Sequence, residues 1–256
     1  MDRLALFDID CTLIDAHGAG GRAIMQAIRD VYGVGGELGD YSFHGRTDPG
    51  IIRDLADLWG APDPEAVVGR YEGETQPQVV HDVAEQLGTP DDVIDALVDR
   101  CVARYVELIA DEVGKVHIEV LPGVEELVTA LAADRRVLLG LLTGNVMEGA
   151  RVKLAPTGLS AFFQVAAYGS DSALRAELPA VAVARAEELT GRRFAGKEIV
   201  VIGDTPADIE CGAGLGVKAI AVATGRHSLD ELAAHKPDHL FADLSDWRAV
   251  YEAILA

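Results

Sequence analysis

The sequence predicts an α/β protein: a parallel sheet with a separate helical domain inserted after its first strand. Three observations carry this expectation. Short apolar runs of strand length recur at 4–8, 137–142, 164–168, 199–203 and 218–222, and most do not alternate with polar residues, as strands covered on both faces should not. Helical patterns lie between the later runs, so from about residue 120 the chain alternates strand and helix. Residues 15–115 hold no convincing strand run, and about 100 residues is too long for an ordinary crossover.

Taken in order, the first run reads L-A-L-F-D-I-D-C-T over 4–12 and places Asp8 and Asp10 at a strand's carboxyl end. Sheets of this class put their chemistry at that end. In the insertion, Ile24, Ala27, Ile28 and Val31 form a helical stripe that Gly33 can end. Ile51, Ile52, Leu55 and Leu58 suggest a second helix closing near Gly60. Thr89 and Pro90 suit the cap and first residue of a third, with Ile94, Leu97, Val98 and Cys101 on one face. Residues 1–14 and 116–256 then form the core, and 15–115 a helical domain that sits over the end of the first strand. Beyond it, Val124, Leu127, Val128 and Leu131 have helical spacing. Pro206 suits the first turn of a helix, and Ser228 with Glu231 has the spacing of a capping box.

Composition bounds the function. The 256 residues are 49% hydrophobic, enough for a substantial core, and carry a formal charge of −20. So acidic a surface should repel nucleic acid and anionic membranes. Any phosphate-bearing substrate would need local cations to overcome that field. Cys11, Cys101 and Cys211 are widely spaced without a C-x-x-C pair, which argues against a disulfide framework or a zinc site and for a reducing compartment. The seven histidines have no metal-ligand spacing, and Trp59 and Trp247 read as packing residues. No signal peptide and no membrane-spanning run is evident, so a soluble cytoplasmic protein is expected.

The chemistry concentrates at strand ends. Asp8 and Asp10 are like charges in close proximity, which raises the pKa of one and suits a division between an ionised nucleophile and a proton donor. Residues 199–208, I-V-V-I-G-D-T-P-A-D, repeat the arrangement with Asp204 and Asp208. A helix cap and an exposed first-turn acid are the ordinary readings of those two. Together with Asp8 they supply the hard oxygen ligands a Mg²⁺ ion prefers. After V-L-L-G-L-L come Thr143, Gly144 and Asn145, a hydroxyl and backbone amides suited to an anion.

The motifs F-D-I-D-C-T-L at 7–13, L-L-T-G-N at 141–145 and G-D-T-P-A-D at 203–208 resemble those of the haloacid-dehalogenase-like hydrolases, most closely the phosphoglycolate-phosphatase-like branch. The resemblance implies a Rossmann-like parallel sheet with a mobile helical cap and a Mg²⁺-dependent phosphatase acting on a small phosphorylated metabolite. It implies that Asp8 attacks phosphorus and becomes an aspartyl phosphate. Asp10 would protonate the leaving oxygen, activate water and bind Mg²⁺ through its backbone carbonyl. Thr12 would orient the loop, Thr143 would hydrogen-bond the phosphoryl group, and Asp204 would ligate Mg²⁺ with Asp208 in support.

Two departures stand out. Cys11 replaces the usual glycine, which costs something if that position needs φ > 0. Where the family's phosphate-binding lysine is usual, the chain has Arg175; Lys153, in the helix after Thr143, is the competing candidate and is ranked second. In the cap, Arg46 of H-G-R-T-D-P is a candidate for a substrate carboxylate or second phosphate, or else an exposed charge. Alternatives to the hydrolase are a phosphomutase with the same core site and a non-catalytic binding module. A phosphonate hydrolase is disfavoured because 15–113 contain no lysine for a Schiff base, and a dehydrogenase because no G-x-G-x-x-G follows the first strand. A dehalogenase would not need Asp10 and Asp204. A monomer or homodimer is expected.

Overall fold

The computed structural model describes residues 2–32, 75, 77–78, 80–81 and 91–256. The expected helix at 51–60, the Thr89–Pro90 cap, the Gly33 stop and Arg46 lie outside the described residues.

β1 (Arg3–Phe7) sits at the middle of a six-stranded sheet. β4 (Val137–Thr143) and β5 (Val165–Tyr168) lie on one side of it. β6 (Ile199–Gly203), β7 (Lys218–Val222) and β8 (His239–Phe241) lie on the other. Every pairing is parallel. All residues of β4, β6 and β7 are buried, which is why their sequences read as unbroken apolar runs. The register fixes the site: Phe7 lies beside Leu141 of β4 and Ile202 of β6, and the Asp8 amide still donates to Ile202 O at 2.9 Å. Asp8, Thr143 and Asp204 therefore leave the same edge of the sheet.

Helices cover both faces. α1 (Ala19–Tyr32) buries Ile24, Ala27 and Ile28, with Val31 partly covered, as its stripe predicts. α2 (Asp91–Gly114) buries Cys101, Tyr105 and Ile109, and these join α1, β1 and α3 (Val124–Ala133) in one hydrophobic cluster. Val124, Leu127, Val128 and Leu131 are the buried face of α3. α4 (Met147–Leu154) and α5 (Leu178–Thr190) follow β4 and β5. α6 (Pro206–Glu210) follows β6, and α7 (Leu229–Ala234) follows β7 behind the Ser228–Glu231 capping box that its spacing predicts. α8 (Trp247–Leu255) closes the chain.

Two features went unseen in the sequence. Strand β8 has three residues, all only partly buried, and so shows no apolar run. β2 (Ile14–Asp15) and β3 (Glu119–Val120) form a two-stranded antiparallel ribbon. That ribbon brings together the two ends of the 15–115 insertion. Among the described helices, none is long and apolar enough to cross a membrane.

Candidate active site

Loops leaving β1, β4, β6 and β7 meet at the carboxyl edge of the sheet, and they build two adjoining polar neighbourhoods. The first surrounds Asp8. Ligand oxygens of Asp8, Asp204 and Asp208, all buried, lie within 4.8 Å of one another. Arg175 enters from the short turn before α5, is itself buried, and donates Nη2 to Asp8 Oδ1 at 3.1 Å and to Asp208 Oδ1. Asp208 is oriented by its own helix. Thr205 is the N-cap of α6, accepting from the Asp208 amide at 3.2 Å, and Asp208 Oδ2 accepts from the Thr205 amide and hydroxyl at 3.1 and 2.6 Å. The cap is thus Thr205 and not Asp204, whose carboxylate is left to face the cluster. Thr12 donates to Asp204 Oδ1 at 3.2 Å.

The electrostatics of this neighbourhood are unbalanced. Burial, then the charges of Asp208 and Asp10, push the Asp8 carboxyl up to about 7 against the pull of Arg175. Burial, Asp208 and Asp8 likewise raise Asp204 well above the usual carboxylate range. Among the described residues one guanidinium faces three buried carboxylates and does not compensate them, so the site favours a further positive charge. An oxygen-only donor set with this surplus fits a hard divalent cation.

The second neighbourhood surrounds Asp10. Its carboxylate accepts from Lys153 Nζ at 2.9 Å on Oδ1 and 2.7 Å on Oδ2, and from Asn145 Nδ2 at 2.7 Å on Oδ2. Lys153 also donates to Asn145 Oδ1 at 2.8 Å. Asn145 in turn donates its amide (3.3 Å) and Nδ2 (2.8 Å) to Thr143 Oγ1. Among the described residues none accepts the Thr143 hydroxyl proton, which leaves it for a ligand oxygen. α4 begins only at Met147 with Val146 as its N-cap, so Thr143, Gly144 and Asn145 form a loop and not a helix cap.

The structure therefore brings together Asp8, Asp10, Thr12, Thr143, Gly144, Asn145, Asp204 and Asp208 from the ends of β1, β4 and β6, Lys153 from α4 and Arg175 from the turn before α5. Arg46 lies outside the described residues. Of the two basic candidates, Arg175 touches Asp8, whereas Lys153 is committed to Asp10 and Asn145.

Sequence reasoning missed Thr205, Thr224 and Gly225. Thr224 Oγ1 donates to Cys11 O, and a side-chain carbon at Gly225 would collide with the Asp204 carboxylate. The T-G pair after the β7 run was the available signal. Cys11 has φ 58, the left-handed value its glycine-like position suggested. Thr75, from the insertion, donates to Ala173 O at 2.6 Å and so reaches the loop that leads to Arg175.

Residues 3–216 match the family described as haloacid dehalogenase-like hydrolase. Similar solved structures include a hydrolase from Pseudomonas syringae, 17% identical, covering 98% of each chain with a TM-score of 0.65. A predicted phosphoglycolate phosphatase from Haemophilus somnus is 20% identical, covering 98% of this chain and 97% of its own, with a TM-score of 0.62. A candidate beta-phosphoglucomutase from Bacteroides vulgatus is 18% identical, covering 99% and 88%, with a TM-score of 0.64. At these identities the likeness speaks to the fold. No curated protein matches the chain.

Proposed function

Because this chain belongs to the haloacid dehalogenase-like hydrolases, we propose that it is a Mg²⁺-dependent phosphatase of small phosphate monoesters, working through an aspartyl phosphate on Asp8. The observation that carries the reading is the buried Asp8–Asp204–Asp208 cluster with Arg175 on its nucleophilic member. The phosphatase designations of similar structures support it.

In this reading Asp8, Asp204 and the backbone carbonyl of Asp10 would hold Mg²⁺, with Asp208 behind them. Bound there, the ion would neutralise charge on the phosphoryl oxygens. The chain's own residues do the rest. Arg175 keeps Asp8 oriented and adds positive charge beside the transferring group. An Asp8 oxygen attacks phosphorus as the bond to the leaving oxygen breaks. The Asp10 carboxyl gives its proton to that oxygen, and the alcohol departs. The Asp10 carboxylate then takes a proton from a water that attacks the phosphoryl group. The phosphorus–Asp8 bond breaks, inorganic phosphate forms, and both aspartates are restored. The Thr143 hydroxyl and the Gly144–Asn145 backbone steady the phosphoryl oxygens.

Residues 15–115 act as a cap over this edge, supported by the ribbon that closes their ends and by Thr75 reaching toward the Arg175 loop. Arg46, within the cap, selects substrate. Three cysteines outside any disulfide fit a reducing, cytoplasmic setting, and a monomer or homodimer suffices because the described site is built within one chain.

Release of inorganic phosphate from p-nitrophenyl phosphate, dependent on Mg²⁺ and absent in Asp8→Asn, tests the reading. Acid-quenched wild type should carry one phosphoryl group on Asp8. The candidate phosphoglucomutase among similar structures keeps a mutase in view. Stoichiometric phosphate release decides against it, and any turnover decides against a non-catalytic module.

A further inference from the structure

We propose that Lys153 is the positioning residue of the acid–base aspartate, and that its pairing with Asn145 forms a clamp dedicated to Asp10 and not a phosphate-binding group. The inference deepens the phosphatase reading and rests on it.

The geometry is specific. Lys153 is 1% exposed, although lysine is almost never buried without a partner. Its ammonium has three protons to give, and three acceptors stand at 2.9, 2.7 and 2.8 Å: both Asp10 oxygens and Asn145 Oδ1. A phosphate ligand would have to break one of these bonds to be bound. Asn145 completes the clamp by giving Nδ2 to both Asp10 Oδ2 and Thr143 Oγ1. The helix that carries Lys153 is held in place from outside the site. Gly149, one turn earlier, packs so closely on Tyr105 of α2 that any side-chain carbon there would collide with the ring.

The clamp treats the two Asp10 oxygens unequally. Oδ2 accepts two hydrogen bonds and Oδ1 accepts one, so the proton given to the leaving oxygen is assigned to Oδ1. When that proton departs with the alcohol, the negative charge it leaves on Asp10 is already met by the Lys153 ammonium. The barrier for expelling a poorly stabilised alkoxide falls accordingly. A leaving group that needs no proton gains nothing from the clamp.

That asymmetry supplies the test. With Mg²⁺ present, kcat/KM is measured for p-nitrophenyl phosphate, whose leaving group is stable as an anion, and for phenyl phosphate, whose leaving group is more basic. kcat/KM reports the half-reaction that forms the aspartyl phosphate. In Lys153→Met, phenyl phosphate should lose about 10²-fold and p-nitrophenyl phosphate less than about 5-fold, the range of one general acid. Inhibition by inorganic phosphate should stay within about 2-fold of wild type, since the lysine touches no phosphate. Equal losses on both esters, or a weakened grip on inorganic phosphate, would overturn the proposal. If Lys153→Met gives no cooperative melt, Lys153→Gln, which keeps a hydrogen-bond donor but removes the charge, must show the same selective loss. Wild type inactive on both esters would instead bring down the phosphatase reading, and the proposal with it.

Discussion

Asp8 and Asp10 are separated by one residue yet stand in opposite electrostatic settings. The Asp8 side chain is 10% exposed and shares its space with two other buried carboxylates and one guanidinium. That of Asp10 is 32% exposed and is paired with the Lys153 ammonium. Burial makes the difference matter. At low effective dielectric, surplus negative charge beside Asp8 is costly, while any negative charge on Asp10 is met by the Lys153 ammonium. One aspartate is thus left short of positive charge and the other is fully supplied. This is the arrangement expected if a nucleophile must recruit a cation while its neighbour handles protons.

The largest effect should come from neutralising each aspartate in turn. Asp8→Asn should cost at least about 10³-fold in turnover of p-nitrophenyl phosphate. At about pH 8, where Asp8 has lost its proton, it should also raise the melting temperature of metal-free protein, because it removes one charge from the crowded cluster. Asp10→Asn should lower that melting temperature, because it strands the buried Lys153 ammonium. Calorimetry of both variants in chelator is the check. Equal shifts of the same sign would erase the contrast between the two settings.

Removing Arg175, the one cation of the Asp8 neighbourhood among the described residues, comes next. Arg175→Met leaves Asp8 and Asp208 facing each other unpaired. A loss of about 3–5 kcal/mol in denaturant stability is expected for breaking a buried pair from one side, with a fall of about 10²–10³-fold in kcat/KM. Arg175→Lys keeps the charge but not the fork, and should fall between. A harmless Arg175→Met would mean that the acidic cluster needs no internal counter-charge.

The third test uses pH. In the folded, metal-free protein Asp8 holds its proton up to about 7, whereas in the unfolded chain it titrates near 3.8. Between those values the folded state binds more protons than the unfolded state, so stability must fall as pH rises through that window. Asp204 shifts in the same direction and adds to the slope. Metal-free protein should therefore melt several degrees lower at about pH 8 than at about pH 5, at about 2–4 °C per kcal/mol. Millimolar Mg²⁺ should close most of that gap at the higher pH and do little at the lower, because it competes with the same protons. A flat profile in chelator would show that the cluster is already balanced.

How legible these settings were depends on the range of the interaction. The strand ends could be read because β1, β4 and β6 are buried almost throughout and so show up as apolar runs, with Asp8 and Asp204 one step beyond β1 and β6 and Thr143 at the last position of β4. Asp8, Thr143 and Asp204 were therefore found. The Thr205–Asp208 capping box is a local pattern, hidden by Asp204 directly before it, which has the chemistry of a cap as well. The Lys153–Asp10 pairing joins residues 143 apart in the chain. The packing of α4 against α2, where Gly149 meets Tyr105, sets it. The sequence puts Lys153 in the helix after Thr143 and says nothing of where that helix points. The ribbon of β2 and β3 has two residues per strand, too few for any alternation to appear.

The smallest effect should arise at the link between the two settings. Cys11 follows Asp10 directly, and its φ of 58 lies in the left-handed region. An L-residue there costs about 1–2 kcal/mol relative to ordinary backbone, and a glycine costs nothing of the kind. Part of that gain is lost because glycine adds entropy to the unfolded chain, about 0.4–1 kcal/mol. Cys11→Gly should therefore stabilise the protein by roughly 0.5–1 kcal/mol, a rise of about 1–4 °C in melting temperature. The backbone bonds that hold the turn, Cys11 amide to Ile14 O and Thr224 hydroxyl to Cys11 O, involve no cysteine side chain and should survive. A fall in melting temperature would mean that the thiol itself packs usefully between the two aspartate settings. The backbone penalty would then be the lesser part of what that position does.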